Sequence, residues 1–319
     1  MEQIVQDGRL YKIIFVQNRH CIKYLKAAAT LVVAVLLVKT LLVTSCFIPF
    51  SGMENSLYKG EGVLVNKLSY GLRTPLMGVF GYHRWGKCHV KRGDIVLFNN
   101  PMPKEKERSI DRREVYISRC IGTPGEIITL NKELVAIDTK VFSPDSKDLY
   151  MYPASAEDQL SSILKDLNID DNTLSGFTED GKYIRRFSNY EFYLISQKLD
   201  RQICFEQLSS RFSQQTHQLV IPARGKSVKV FPWNAKLLCN TIIYHENRIA
   251  NVVKDTLYID HKPVNEYTFT KNYYWMASND PININDSRLF GFVPEDHIIG
   301  KAERIWYTRE KGRFMQRVE

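Results

Sequence analysis

The chain has 319 residues, of which 44% are hydrophobic, 25% charged and 12% aromatic, with a formal net charge of +9 and a mean hydropathy of -0.28. That apolar content can bury a core, which excludes disorder, and the negative mean hydropathy excludes a multi-pass membrane protein, since several spans of about 20 apolar residues would turn it positive. Six cysteines, with no C-x-x-C pair and no histidines at zinc spacing, exclude a disulfide scaffold and a zinc centre.

Each cysteine is therefore expected as a packed thiol, and the length allows one large domain or two ordinary ones. One membrane span fits within the average. From Leu25 to Ile48 the chain is apolar except for Lys26 and Lys39, which predicts a transmembrane anchor over 25–48. Ahead of it Arg9, Lys12, Arg19, Lys23 and Lys26 outnumber Glu2 and Asp7, whereas Pro49 to Leu68 carries Lys59 and Lys67 against Glu54 and Glu61. The positive-inside rule then places residues 1–24 in the cytoplasm and everything after residue 50 outside it. A cleavable signal would have an apolar region of roughly 7–15 residues and a small-x-small exit. The run here is longer and SCFIPFSGM lacks such an exit, so an uncleaved anchor is expected. Lys39 has two accounts: its ammonium snorkels to the outer interface, ending the helix near Thr40 with residues 41–50 extended, or it pairs with an acid on a partner's span.

After the anchor come short β-like runs bounded by Gly and Pro. GVLVNKL (62–68), DIVLF (94–98), EVYISRCI (114–121) and EIITL (126–130) are four of them, and Pro124 with Gly125 puts a tight turn between the last two. The middle differs. Residues 154–167 place Leu160, Ile163, Leu164 and Leu167 on one helical face, with Ser155 as N-cap and Asp158 three residues on; Ser188 with Glu191 opens a second helix through Leu199. A second β cluster follows in NVVKDTLYID (251–260), EYTF (266–269), NYYWMAS (272–278) and FGFVPEDHIIGKAERIWY (290–307). The expected fold class is mostly β with an α+β insertion. Core β segments lie at 49–130 and 266–308, an inserted domain at 131–265 and a tail at 309–319.

Five blocks, taken in order, resemble the type I signal peptidases, membrane-anchored serine peptidases that use a Ser/Lys dyad. They are KTLLVTSCFIPFSGMENSL (39–57), LVNKLSYGLRTP (64–75), RGDIVLF (92–98), YISRCIGTPGE (116–126) and MASNDPININDSRLFGFVPEDHIIGKA (276–302). The resemblance implies a signal-peptidase-like β fold behind one transmembrane helix, an inner-membrane location with the main domain periplasmic, and a basic residue at the place of Lys39 near the outer face.

The departures from the family pattern fall on its chemistry. Such an enzyme needs a hydroxyl nucleophile, a neutral amine as base and donors for the oxyanion. The family's nucleophile is the Ser before Met, and here Gly52 precedes Met53. Its base is the Lys before Arg, and here Ser118 precedes Arg119, with no lysine within a residue or two to substitute. The oxyanion Ser aligns with Phe50 and the Ser that supports the base aligns with Ile284; Ser278, Asn279 and Asp280 occupy the places of G-D-N. The scaffold motif is retained: Met53, Arg119, Gly122, Pro124, Gly125, Asp286, Ser287, Arg288, Gly291, Val293 and Pro294. A retained Asp286–Arg288 pair is expected of a fold still maintained.

Ser51 is the fallback nucleophile if a bulge brings it into the site with a displaced Lys or His; otherwise it is a turn residue beside Gly52. His83, His89 and His297 are expected as surface or strand-end residues. The leading expectation is thus a signal peptidase homologue that binds exported or signal-peptide-bearing proteins, or partners an active signal peptidase, without cleaving. An active membrane-bound serine endopeptidase using Ser51, and a membrane-anchored assembly protein using residues 131–265 as its interaction surface, are the alternatives. Neither cofactor nor metal is expected. Much of the basic excess flanks the membrane, so anionic lipid rather than nucleic acid is the expected partner.

Overall fold

The computed structural model describes residues 23–86, 88–102, 108–131, 134, 136, 147–169, 172–199, 203–208, 216–280, 282 and 285–318. The first element is the helix Lys23–Leu41, whose 19 residues are long and apolar enough to cross a membrane. The expected span over 25–48 therefore divides in two, because Val43–Phe47 is a strand, β1. Two causes are visible. Val43 and Thr44 are β-branched and suit a strand, and Lys67 Nζ donates to the carbonyl oxygens of Lys39 and Thr40, each at 3.0 Å, supplying partners at the helix end.

β1 pairs with β2 (Gly62–Asn66), from Val43 opposite Asn66 to Phe47 opposite Gly62. A short arm, β3 (Leu72–Arg73) and β4 (Arg84–Trp85), precedes β5 (Ile95–Asn99) and β6 (Val115–Gly122). At the end of β6 the Thr123–Glu126 turn leads into β7 (Ile127–Asn131), with Gly125 at φ +86°, where a side chain would be strained. This turn changes sheets rather than closing a hairpin. β8 (Lys147–Pro153), β9 (Gly176–Phe177), β10 (Lys182–Ser188) and β11 (Glu206–Gln207) form a separate sheet in the order β11-β8-β10-β9, while β12 (Thr216–Val220) pairs with β7. β13 (Ser227–Lys229), the meander β14 (Ala250–Val253), β15 (Thr256–Ile259) and β16 (Lys262–Val264), and β17 (Glu266–Thr268) make two further small sheets. β18 (Tyr273–Ala277), β19 (Val293–Pro294) and β20 (Ile298–Tyr307) return to the principal sheet, whose seven strands run β1-β2-β20-β5-β6-β18-β19.

The period of two in the strands sorts side chains to opposite faces. Along β5, Ile95 and Leu97 join a core with Val63, Val65 and Ile305, whereas Val96 and Phe98 join another with Cys120, Tyr274 and Met276. Between β8 and β10, the helix Glu157–Asp166 buries Leu160, Ile163 and Leu164. Ser155 is not its cap: it lies inside a 3₁₀ turn, Ala154–Ala156, that follows Pro153, and Ala156 makes no side-chain cap. Ser188 and Glu191 do form a reciprocal capping box on the helix Asn189–Lys198. Cys120 and Cys239 are buried as expected, but Cys88 and Cys204 are exposed, since each lies outside the regular strands and helices that would have packed it.

Candidate functional site

β1 runs into the 3₁₀ turn Ser51–Met53. Met53 anchors that turn in the core at 2% exposure, Ser51 and Gly52 are half-buried, and Phe50, extended at φ -134°, is 57% exposed. Ser118 lies on β6 opposite Val96, fully buried, and its Oγ donates to the carbonyl of Asn285 at 3.2 Å. Arg119, the next residue, donates from Nη1 to Gly93 O at 2.9 Å, from Nη2 to Ser56 Oγ at 2.8 Å and from Nε to Asn279 Oδ1 at 3.4 Å.

Asn279 ties this cation to the turn. Its Nδ2 donates to Glu54 O and Ser56 Oγ, each at 3.1 Å, and the neighbouring Asp280 N donates to Gly52 O at 3.1 Å. Two basic side chains from β8 and β10 complete the cluster. Lys147 donates from its backbone N to Asn279 O at 2.7 Å and from Nζ to Glu54 Oε2 at 2.7 Å, with Glu191 Oε1 4.0 Å away. Arg186 pairs with buried Asp280. A lysine distant in sequence thus does reach the Gly52 turn, although as the partner of a carboxylate. Lys147, Glu54, Ser56 and Arg186 were not legible as site residues, because no local pattern marks contacts made across the fold.

The scaffold residues sit around this cluster. Asp286 is fully buried, accepts from Ser278 N at 2.8 Å and Arg288 N at 2.9 Å, and pairs with Arg288 Nη2 at 2.6 Å. Ser287 Oγ accepts from Met276 N at 2.8 Å. At Gly122 an added Cβ would lie 3.0 Å from the Ile221 side chain and 3.2 Å from Trp275 Cβ, so only hydrogen fits without a shift. Pro124 sits in the turn after β6, Gly291 has φ +78°, and Val293 with Pro294 forms β19. Ile284 lies outside the described residues.

Ser51 has no hydrogen bond from its hydroxyl, and no lysine or histidine bonds to it, among the described residues. His83 and His89 are exposed. His297 ends the 3₁₀ turn Glu295–His297 just ahead of β20 but is not at the surface: at 2% exposure it contacts Asp296 Oδ1 through Nδ1 at 2.7 Å and Arg113 Nη1 through Nε2 at 3.0 Å. A guanidinium only donates, so Nε2 accepts and the ring proton sits on Nδ1, facing Asp296. Burial lowers the His297 pKa, with Arg113 and Lys271 adding to it against Asp296. His245, with its ring 5.3 Å away, is pushed well below the usual histidine value by burial and by His297.

Residues 21–185 and 220–307 match the family described as signal peptidase, peptidase S26. The chain belongs to this family. It is 22% identical over 306 residues to signal peptidase I of Buchnera aphidicola subsp. Schizaphis graminum (strain Sg), covering 93% of this chain and 79% of that one. Over 284 residues it is 22% identical to signal peptidase I of Aquifex aeolicus (strain VF5), covering 87% and 81%. Signal peptidase I of Pseudomonas aeruginosa is 30% identical over 116 residues, 35% of this chain and 36% of that one. In this signal peptidase family member the seven-stranded sheet draws its strands from residues 43–122 and 273–307, on both sides of the small sheets. β18 pairs with β6 only from Arg119 to Gly122, so no described strand covers Val115–Ser118 on that side.

Proposed function

We propose that this chain is a membrane-anchored signal peptidase homologue that holds signal-peptide-bearing or other exported proteins, or partners an active signal peptidase, without cleaving them. One observation carries the reading: the residue before Met53 is Gly52, and the residue before Arg119 is a buried serine whose hydroxyl is already committed to Asn285 O. A nucleophile needs a base within hydrogen-bond reach, and neither position offers one. Lys147 does not supply the missing amine, because its ammonium is paired with Glu54. No described strand pairs with the β18 side of Val115–Ser118, and Phe50 is exposed; both support recognition of an extended peptide as an added strand.

The apolar helix Lys23–Leu41 serves as a single bacterial inner-membrane anchor, and the basic excess before it favours a cytoplasmic N-terminus with the β domain outside. A photo-crosslinking residue at position 50, in native membranes, tests the binding role. Capture of signal-peptide-bearing chains or of an active signal peptidase is expected; crosslinks to neither would favour the assembly-protein alternative.

A further inference from the structure

A cavity of about 320 Å³, lined by none of the residues around Gly52, opens beside the β3–β4 arm. Its wall includes Tyr82, His83, Arg84, His89, Arg224 and Tyr274. Arg73 and Arg84 are direct cross-strand partners on the arm, an arrangement in which like charges destabilise the pair. Neither guanidinium is in an ion pair among the described residues, although the Asp111 and Asp296 carboxylates act on Arg73 from nearby. Arg84 donates to Tyr82 Oη at 3.1 Å, Gly71 O at 3.4 Å and Ile298 O at 2.5 Å, and Arg73 donates to Asn99 Oδ1 at 2.9 Å and Asp296 O at 3.2 Å. Burial and the neighbouring Arg84 push Arg73 down to about 10. Among the described wall residues the one carboxylate, Glu295, is engaged by Arg224 and by Asn272 Nδ2 at 2.9 Å.

The wall also holds free hydrogen-bonding capacity. Tyr274 is 5% exposed, yet its hydroxyl makes no hydrogen bond among the described residues, nor do the ring nitrogens of His83, whose ring stacks on Trp85, or of His89. The cavity lies close in the chain to the anchor. Tyr70, in its wall, closes the 3₁₀ turn that Lys67 opens, and the Lys67 ammonium sits on the last carbonyls of the membrane helix. On the loop of the arm Leu76, Val79 and Phe80 are exposed by 56%, 77% and 63%.

We propose that this cavity binds the phosphate of an anionic phospholipid headgroup, with the apolar loop of the β3–β4 arm resting in the adjoining bilayer interface. Guanidinium groups suit phosphate oxygens, and hydroxyl and imidazole donors complete such a shell. The location next to an anchor favours a lipid as the source. The proposal rests on Lys23–Leu41 being a membrane anchor and is independent of whether the Gly52 turn cleaves anything.

The test uses full-length protein in nonionic detergent, titrated with short-chain phosphatidylglycerol, phosphatidylcholine of the same chain length, and inorganic phosphate, with binding read by native mass spectrometry. Phosphatidylglycerol is expected to bind at least tenfold more tightly than phosphatidylcholine, and Arg84→Gln to weaken it at least fivefold. Because Arg84 also ties the arm to β20, His89→Glu, at an exposed wall position, is the second variant and should weaken it by a similar factor. Equal binding of the two lipids, or indifference to His89→Glu, overturns the proposal. Inorganic phosphate binding as tightly as phosphatidylglycerol overturns the lipid as the source. Carbonate extraction of membranes checks the anchor separately, since release of the chain would remove the bilayer setting whatever the titration shows.

Discussion

Lys147 Nζ lies 2.7 Å from Glu54 Oε2, and both side chains are almost wholly withdrawn from solvent, at 5% and 2% exposure. The pair joins the first residue of β8 to the turn that carries Gly52. Removing one partner of a buried ion pair strands the other charge and costs about 3–5 kcal/mol, whereas replacing both with apolar side chains is often neutral. Lys147→Met should therefore lower the unfolding free energy by about 3–5 kcal/mol in denaturant titrations. Lys147→Met combined with Glu54→Leu should recover most of that loss; a double variant as unstable as the sum of the singles would show that the two are not coupled.

Restoring Gly52→Ser and Ser118→Lys together should not restore peptidase activity. Position 118 is fully buried beside Arg119, so a lysine there exchanges a satisfied hydroxyl for an amine next to a fixed cation, while Phe50 still stands where an oxyanion donor is expected. Preprotein cleavage in detergent is the measurement, and turnover near that of an active signal peptidase would refute this local argument.

Acid should destabilise the protein in two windows. His245 and His297 are held below 6.5, chiefly by burial, so the unfolded chain takes up protons that the native one refuses as the pH falls through that value. Stability is therefore full above pH 6.5 and declines below it, by up to about 1.4 kcal/mol per pH unit for each histidine. Burial works against the Asp296 charge, but the hydrogen bond from His297 and the Lys271 ammonium outweigh it and hold that carboxyl well below its ordinary 3.8. Its contribution is present above that ordinary value and is lost at lower pH. Urea midpoints from pH 8 to 4 should fall steadily below 6.5, and His245→Gln should flatten the upper window; a level profile would contradict the assignment.

The cysteines provide a check on burial. Cys88 and Cys204 are exposed, whereas burial both hides Cys120 and raises its thiol pKa. Maleimide should modify Cys88 and Cys204 in the folded protein and Cys120 only after denaturation. Native labelling of Cys120 would mean that β6 is not packed as described.

Most strands were legible because alternation and bounding turns are local: GVLVNKL, DIVLF and EVYISRCI fall on β2, β5 and β6 nearly residue for residue. The capping box at Ser188 was legible for the same reason. What escaped is set by contacts between distant segments. Lys147 meets Glu54 across 93 positions and Arg186 meets Asp280 across 94, and neither pairing leaves a periodic trace. The end of the anchor was blurred because Val43–Phe47 is as apolar as the helix before it; its pairing with β2 decides its form. His297 looks like a surface histidine in sequence; Asp296 is its chain neighbour, and it is Arg113, 184 positions away, and the His245 ring that the fold brings against it.

Mass spectrometry of a preprotein after incubation with the purified full-length protein in detergent decides whether the chain cleaves. The prediction is an intact preprotein, with wild type and Ser51→Ala indistinguishable. Efficient cleavage after a small-x-small site, abolished by Ser51→Ala, would contradict it.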